Sequence, residues 1–336
     1  MKALVYKEPF KMEIEDLPVP TLSSGEVLLK IEAAGICGSD MHAWRGHDPR
    51  RQPGLILGHE FVGRIVHSEL KGFDVGVLFT GNPLITCGVC EYCIQGRDNL
   101  CSNRGMVGMT RAGAFAEYMS IPAKSLIKIP QEMSIAAAAI TEPASVAWHA
   151  IRLIINSLVR PLHECSVLII GGGTIGTFAS ILLDHVGVKE LTLIETNSLR
   201  LNILERDVSF RVPFKSIDSN SEAIKPMFDV VIDTVGSRAT RTQSFIAVKP
   251  GGVIMHIGLQ DWSSEIDMRK LTLDEVTLLG AYTYTTFDMQ ATVDALSRGV
   301  FGELSWVKTK SLAEGQEAFL ALNEGRCSAL KVILIP

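Results

Sequence analysis

Apolar and polar residues alternate over residues 26–35, with Val27, Leu29 and Ile31 on one side, which predicts a strand with one buried face. Residues 59–66 alternate in the same way. Pro18, Pro20, Gly25, Pro49, Pro53, Gly54 and Pro83 punctuate this region, so residues 1 to about 140 read as mostly β. From about residue 142 the pattern changes. Apolar runs at 167–170, 228–233, 252–257 and 276–280 predict buried parallel strands that alternate with helices. After the first run, Ile175, Ala179, Leu182 and Val186 recur at helical spacing, and Gly187 marks the stop. Residues 281–336 combine a helix-like stretch, DMQATVDALSRG, with a closing strand, LKVILIP. Neither an internal repeat nor a low-complexity segment occurs.

Gly171, Gly173 and Gly176 fit G-x-G-x-x-G between the strand at 167–170 and the helix after it. A second strand, 191–194, ends in Glu195. Such a turn lets a pyrophosphate approach a helix N-terminus, and an acid about 20 residues on holds the adenosine ribose 2′-hydroxyl. Three glycines alone also fit an ordinary turn. The order strand, turn, helix, strand, acid is what predicts a dinucleotide site.

Cysteine adds a second kind of chemistry. Cys87, Cys90, Cys93 and Cys101 fall inside NPLITCGVCEYCIQGRDNLC. Four thiolates this close suit one tetrahedral zinc with no open position, a structural site. The alternatives are unrelated thiols, or disulfides in a secreted protein. Three other segments supply a thiolate, an imidazole and carboxylates: Cys37 in ICGSDMH, His59 and Glu60 in GHEFVG, and Glu142 in TEPASVAWHA. Together they make a catalytic zinc set with room for substrate, although Gly-His-Glu alone is also an ordinary strand start. Zinc in an open site lowers the pKa of a bound hydroxyl.

Composition narrows the class. The chain has 336 residues, 47% hydrophobic and 21% charged, enough for two soluble domains. A net charge of −5, without basic runs, argues against nucleic acid. Residues 165–183 carry no charge, but three consecutive glycines split them into strand and helix, so no membrane span is expected. MKALVYKEPF lacks the apolar core of a secretory signal. Of seven cysteines five have metal roles, and Cys165 and Cys327 are read as buried packing residues. An odd count with metal roles points to a reducing compartment, the cytoplasm.

With these motifs in order, the chain resembles the zinc-dependent medium-chain dehydrogenases, the alcohol and polyol dehydrogenase family, in its sorbitol dehydrogenase-like branch. The resemblance implies an α/β fold: a GroES-like β domain (1–141) carrying both zinc sites, an inserted Rossmann doubly wound parallel-sheet domain (142–280), and a return to the first domain (281–336). It implies a site between the domains, two zinc ions per chain, NAD, a small-molecule substrate and a homo-oligomer, dimer or tetramer. Cys37, His59 and Glu142 match the catalytic-zinc positions, and Glu60 the extra acid of the polyol branch. Asp40 matches the acid that orients the zinc histidine. Ser39 and His42 match the relay that carries the substrate proton away. Ile175, Glu195 and Arg200 match cofactor contacts, and the backbone at Ile257 to Leu259 and Ala281 to Thr283 the nicotinamide wall.

The implied activity is hydride transfer from a secondary alcohol of a polyol, sugar acid or sugar phosphate to NAD. The alternative is a hydroxy amino acid or a simple secondary alcohol. A reading of another class is a non-catalytic zinc-stabilised nucleotide sensor or scaffold, against which Ser39, His42 and the catalytic-zinc set argue. Departures from the polyol pattern are Ala43, followed by Trp44, in place of an aromatic; Thr283 in place of an arginine; and DVGVLFTGNPL ahead of the cysteine lobe, where the strand is expected to be altered. Arg50 and Arg51 in RGHDPRRQPG are either solvated or a handle for a substrate anion.

Overall fold

The computed structural model describes residues 1–218 and 227–336. The chain forms two compact units, each with its own sheet. One comprises Met1–Pro143, Thr285–Gly299 and Val307–Pro336; the other Ala144–Tyr284 and Val300–Trp306.

In the first unit the alternating segment forms the strand Glu26–Gly35, with Val27 and Leu29 fully buried and Lys30 exposed. Around it the sheet runs, edge to edge, Val307–Ser311, Lys331–Ile335, Glu26–Gly35, Glu60–His67, Leu78–Gly81 and Leu126–Lys128. Tyr118–Pro122 also pairs with Glu26–Gly35. The outermost pair, Val307–Ser311 with Lys331–Ile335, is parallel; the other pairings are antiparallel. Trp44, Phe61, Phe115 and Phe319 are buried in one cluster, with Trp44 and Phe115 at 5.8 and 6.1 Å from Phe319 between ring centroids. Trp44 is therefore a core residue, and truncation would cost about 3–5 kcal/mol.

The strand ahead of the cysteine lobe is kept: Leu78–Gly81 is buried along its length. What the unusual segment adds is Asn82. This buried residue donates from its backbone to Ser125 O at 2.8 Å and from Nδ2 to Thr286 Oγ1 at 3.2 Å. Leu84–Ile85 then pairs with Gly105–Met106 and closes the base of the lobe.

The second unit holds a sheet of six parallel strands. In chain order, strands 1 to 6 are Ser166–Ile170, Glu190–Glu195, Phe214–Asp218, Phe228–Asp233, Val248–His256 and Thr277–Gly280, and they lie 3-2-1-4-5-6, the doubly wound order with its reversal beside strand 1. Strand 1 is wholly buried, as its unbroken apolar run predicts. The helix Thr174–Val186 follows and ends at Gly187, whose left-handed backbone (φ 80°) lets its N–H bond Leu183 O at 3.0 Å. The uncharged stretch 165–183 is thus strand, turn and helix, and among the described residues no helix is long and apolar enough to cross a membrane.

A single return from residue 281 differs from what is found, because Val300–Trp306 groups with the second unit. The reason is aromatic packing: Phe178 meets Phe301 at 5.5 Å and Trp306 at 5.2 Å, both edge-on.

Candidate active site

The short helix Gly38–Trp44 begins at Cys37, and Asp40, in its first turn, accepts the Cys37 backbone N–H at 3.1 Å. The same carboxylate faces two other groups: Gly58 N–H at 3.4 Å and His59 Nδ1 at 3.4 Å. Asp40 therefore joins the helix carrying Cys37 to the segment carrying His59. Burial works against charge on both Asp40 and His59, but their mutual attraction outweighs it. Asp40 lies below the ordinary carboxylate range and His59 well above the ordinary imidazole range.

Cys37, His59 and Glu60 offer donor atoms that all lie within 4.8 Å of one another. Glu60 is fully buried, and its Oε1 has no hydrogen-bond partner among the described residues. A buried carboxylate oxygen without a donor, beside a thiol and an imidazole, fits a cation. Its other oxygen lies against Lys331 Nζ, which also donates to Ile36 O at 2.8 Å. Gly35 makes this possible, since a Cβ there would overlap Glu60 Oε2 and Lys331 Cε. Glu142, buried in the first turn of the helix Thr141–Ile155, is not part of that 4.8 Å group.

Ser39 and His42 lie on the Cys37 helix. Burial, then the charges of Arg45 and His47, hold His42 below its usual pKa, so its ring is neutral near pH 7 and can accept a proton.

The arginine loop separates its two arginines. Arg51 is buried: Nη1 meets Asp48 Oδ2 at 2.6 Å, Nε donates to Gly108 O at 3.0 Å, and Nη2 to Ser39 Oγ at 3.3 Å. Arg50 is exposed but forked onto Asp48 at 2.8 and 2.9 Å. Arg50 is thus solvated as the first expectation has it, whereas Arg51 is not, and Asp48 already supplies an anion to both. Arg51 had no signal in sequence beyond its place in a polar loop.

The four lobe cysteines come together. Sγ separations are 3.5 Å for Cys90–Cys93, 3.6 Å for Cys87–Cys101 and 4.0 Å for Cys87–Cys93. These are far too long for disulfides. They match the edges, about 3.8 Å, of a tetrahedron with zinc–sulfur bonds of about 2.3 Å. Backbone N–H groups of Val89 and Cys90 bring the Cys87 thiol down to about 6, whereas burial, reinforced by the neighbouring thiols, pushes Cys93 up to about 12. Four thiolates at this spacing need a cation to coexist. Of the other two cysteines, Cys165 is buried and Cys327 is only half-buried against the core.

In the second unit the glycine turn has the geometry of a phosphate cradle. Gly171 has φ 102°, a Cβ on Gly176 would overlap the Gly171 carbonyl, and the space beside Gly173 is open. Glu195, at the end of strand 2, is buried. Its Oε2 accepts Gly172 N–H at 3.0 Å and faces Arg200 Nη1 at 3.5 Å, while Oε1 accepts the N–H groups of Thr196 at 2.7 Å and Asn197 at 2.9 Å. Ile175 lies in the first turn of the following helix. Ile257 and Leu259 follow strand 5, and Ala281 and Thr283 follow strand 6, so all these residues lie beyond the carboxyl ends of the strands. Leu259 is exposed, and Thr283 has a left-handed backbone (φ 48°) and a buried hydroxyl without a hydrogen-bond partner among the described residues.

Two family models match the chain: the alcohol dehydrogenase GroES-like domain over residues 23–131 and the zinc-binding dehydrogenase over 174–298. The L-threonine 3-dehydrogenase of Stenotrophomonas maltophilia is 32% identical, with 99% of each chain covered. The chain belongs to the zinc-binding alcohol dehydrogenase family. Among solved members, a zinc-binding dehydrogenase from Sinorhizobium meliloti bound to NADP superimposes with TM-score 0.86 at 27% identity, covering 100% of this chain and 99% of that one. Acetophenone reductase from Geotrichum candidum in complex with NAD gives 0.88 at 27% identity, covering 100% and 97%. As a member of this dehydrogenase family, the chain is an enzyme, and the sensor or scaffold reading is set aside.

Proposed function

We propose that the protein oxidises the secondary hydroxyl of a hydroxy amino acid with NAD, using one catalytic and one structural zinc. The carrying observation is the set of half-buried Cys37 with buried His59 and Glu60, with Asp40 behind His59. A full-length relative at 32% identity named for L-threonine supports the amino-acid substrate over a polyol, sugar acid or sugar phosphate. Family likeness supports a dimer or tetramer, and cysteine usage the cytoplasm.

When bound, zinc supplies Lewis acidity to the substrate oxygen and the nicotinamide supplies the hydride acceptor. Cys37 and His59 would hold the catalytic ion, with Glu60 or Glu142 as the third protein ligand. Asp40 fixes the ring orientation of His59. Ser39 takes the substrate hydroxyl proton, and the neutral His42 passes it on. Cys87, Cys90, Cys93 and Cys101 would hold the structural ion. Gly171, Gly173 and Gly176 admit the pyrophosphate. The Glu195 carboxylate accepts the ribose hydroxyls and repels a 2′-phosphate, which favours NAD over NADP. The backbone at Ile257, Leu259, Ala281 and Thr283 lines the nicotinamide side.

The test is a substrate panel of L-threonine, sorbitol, an aldonate and a sugar-alcohol phosphate, followed by absorbance of the reduced cofactor, with zinc measured on the same sample. L-threonine should give the highest kcat/KM. A polyol ahead of it would return the reading to sugar alcohols.

A further inference from the structure

Arg51 is a charged side chain only 1% exposed, in a loop that reads as solvent-facing. A guanidinium has five N–H donors and no acceptor, and leaving it buried is costly unless those donors are used. Two of its contacts anchor it: Asp48 Oδ2 at 2.6 Å and Gly108 O at 3.0 Å. They explain why an arginine can be buried here. The third contact is of another kind. Nη2 donates to the hydroxyl oxygen of Ser39 at 3.3 Å, and Ser39 is not needed to neutralise the charge.

A serine hydroxyl has one proton and two lone pairs. A serine that passes a proton must accept one at a free lone pair and release its own elsewhere. With one lone pair taken by Arg51, Ser39 keeps one acceptor position and one proton. Arginine cannot accept a proton, so the serine proton cannot point at Arg51. The direction of Arg51 is thereby closed to the hydroxyl proton.

We propose that Arg51 is a positioning residue for the proton relay, holding Ser39 Oγ by one lone pair so that the other faces the substrate hydroxyl. The proposal rests on Ser39 taking the substrate proton, as in the proposed function. In that step the substrate O–H bond breaks and an O–H bond forms at Ser39 Oγ. The original serine O–H breaks as its proton leaves for the next acceptor, so serine is unchanged overall. When bound, the oxidised nicotinamide would supply the hydride acceptor.

The experiment is a double-mutant cycle on the zinc-loaded enzyme: wild type, Arg51→Lys, Ser39→Ala and the double variant. The readouts are kcat and KM on the fastest alcohol of the panel above, NADH affinity by fluorescence, zinc content and thermal midpoint. Arg51→Lys keeps the charge but loses the fork. It should lower kcat about tenfold to a hundredfold, less than the roughly 10²–10⁴-fold that a proton-transfer group itself supplies, because Arg51 acts through Ser39. KM, zinc content and NADH affinity should stay within about threefold of wild type, a change too small to account for that loss in rate. In the Ser39→Ala background the same change should lower kcat less than about twofold, because residues acting as one unit are not additive. Should Arg51→Lys fold poorly, Asp48→Asn loosens the guanidinium anchor without emptying buried space, and its kcat loss should likewise vanish without Ser39.

A kcat loss that persists in full in the Ser39→Ala background overturns the proposal and makes Arg51 a loop anchor only. Unchanged kcat in Arg51→Lys overturns it too. Wild-type kcat in Ser39→Ala alone, or no turnover of any alcohol by wild type, overturns the relay reading itself, and the proposal falls with it.

Discussion

Lys331 Nζ lies against Glu60 Oε2, and both side chains are almost completely buried. The pair joins neighbouring strands of the first unit's sheet to the metal-ligand candidates, since Gly35 and Glu60 are cross-strand partners and Lys331 donates to Ile36 O. Removing one member leaves an uncompensated buried charge, which costs about 3–5 kcal/mol. Lys331→Met should therefore lower the thermal midpoint strongly. Lys331→Met with Glu60→Gln should recover much of that loss, because no lone charge remains. Denaturant titration of the wild type and the two variants checks it, and equal stability of single and double variants would show that the pair is not coupled.

Zinc content divides between two sites. Cys37→Ser should lower zinc from two per chain to one and abolish activity, while the thermal midpoint changes little. Cys93→Ser should also remove one zinc but lower the midpoint markedly, because a structural ion contributes directly to folding. Elemental analysis paired with thermal denaturation measures both. One zinc or none in the intact wild type counts against the two-site reading.

Glu195 is expected to matter twice. Glu195→Ala should weaken NADH binding about tenfold to a hundredfold, the worth of charge-assisted hydrogen bonds. It should also destabilise the unbound enzyme, since the N–H groups of Gly172, Thr196 and Asn197 lose their acceptor. Fluorescence titration and thermal midpoint report the two effects separately. Equal catalytic efficiency with NADP would overturn the preference for NAD, Arg200 then being the cation that hosts the phosphate.

Asp48 predicts an acid-labile contact. Burial raises its pKa, but the paired guanidinium groups of Arg50 and Arg51 outweigh this and bring it to about 2, from 3.8. A depressed carboxylate pKa gives stability that is complete above the unfolded value and is lost as pH falls through the folded one. The stability difference between wild type and Asp48→Asn should be level above about pH 5. It should shrink between about pH 4 and 2. Midpoints measured across that range check the sign, and a difference that shrinks above neutral pH would contradict it.

Arg50→Ala should leave the ratio of kcat/KM for acidic and neutral substrates unchanged, because its fork is taken by Asp48. A selective loss on acids would restore the anion-handle reading.

The features that sequence alone determined are local ones. Strand, glycine turn, helix, strand and Glu195 are consecutive, and each step is set by hydrophobic period and by what a glycine permits. The four lobe cysteines close a small loop, so their spacing already restricts them to one centre. Tertiary structure decided whatever depends on residues far apart in the chain. Glu60 reads as a metal ligand in its own segment, and only the arrival of the last strand places Lys331 against it. Arg51 reads as solvated or as an anion handle, because burial of a charge depends on partners, and Gly108 and Ser39 come from other segments. Val300–Trp306 leaves the domain that its neighbours join, since the rings of Phe301 and Trp306 pack on Phe178. Periodicity reports which face of an element is buried, but the identity of what covers that face is set by chain topology.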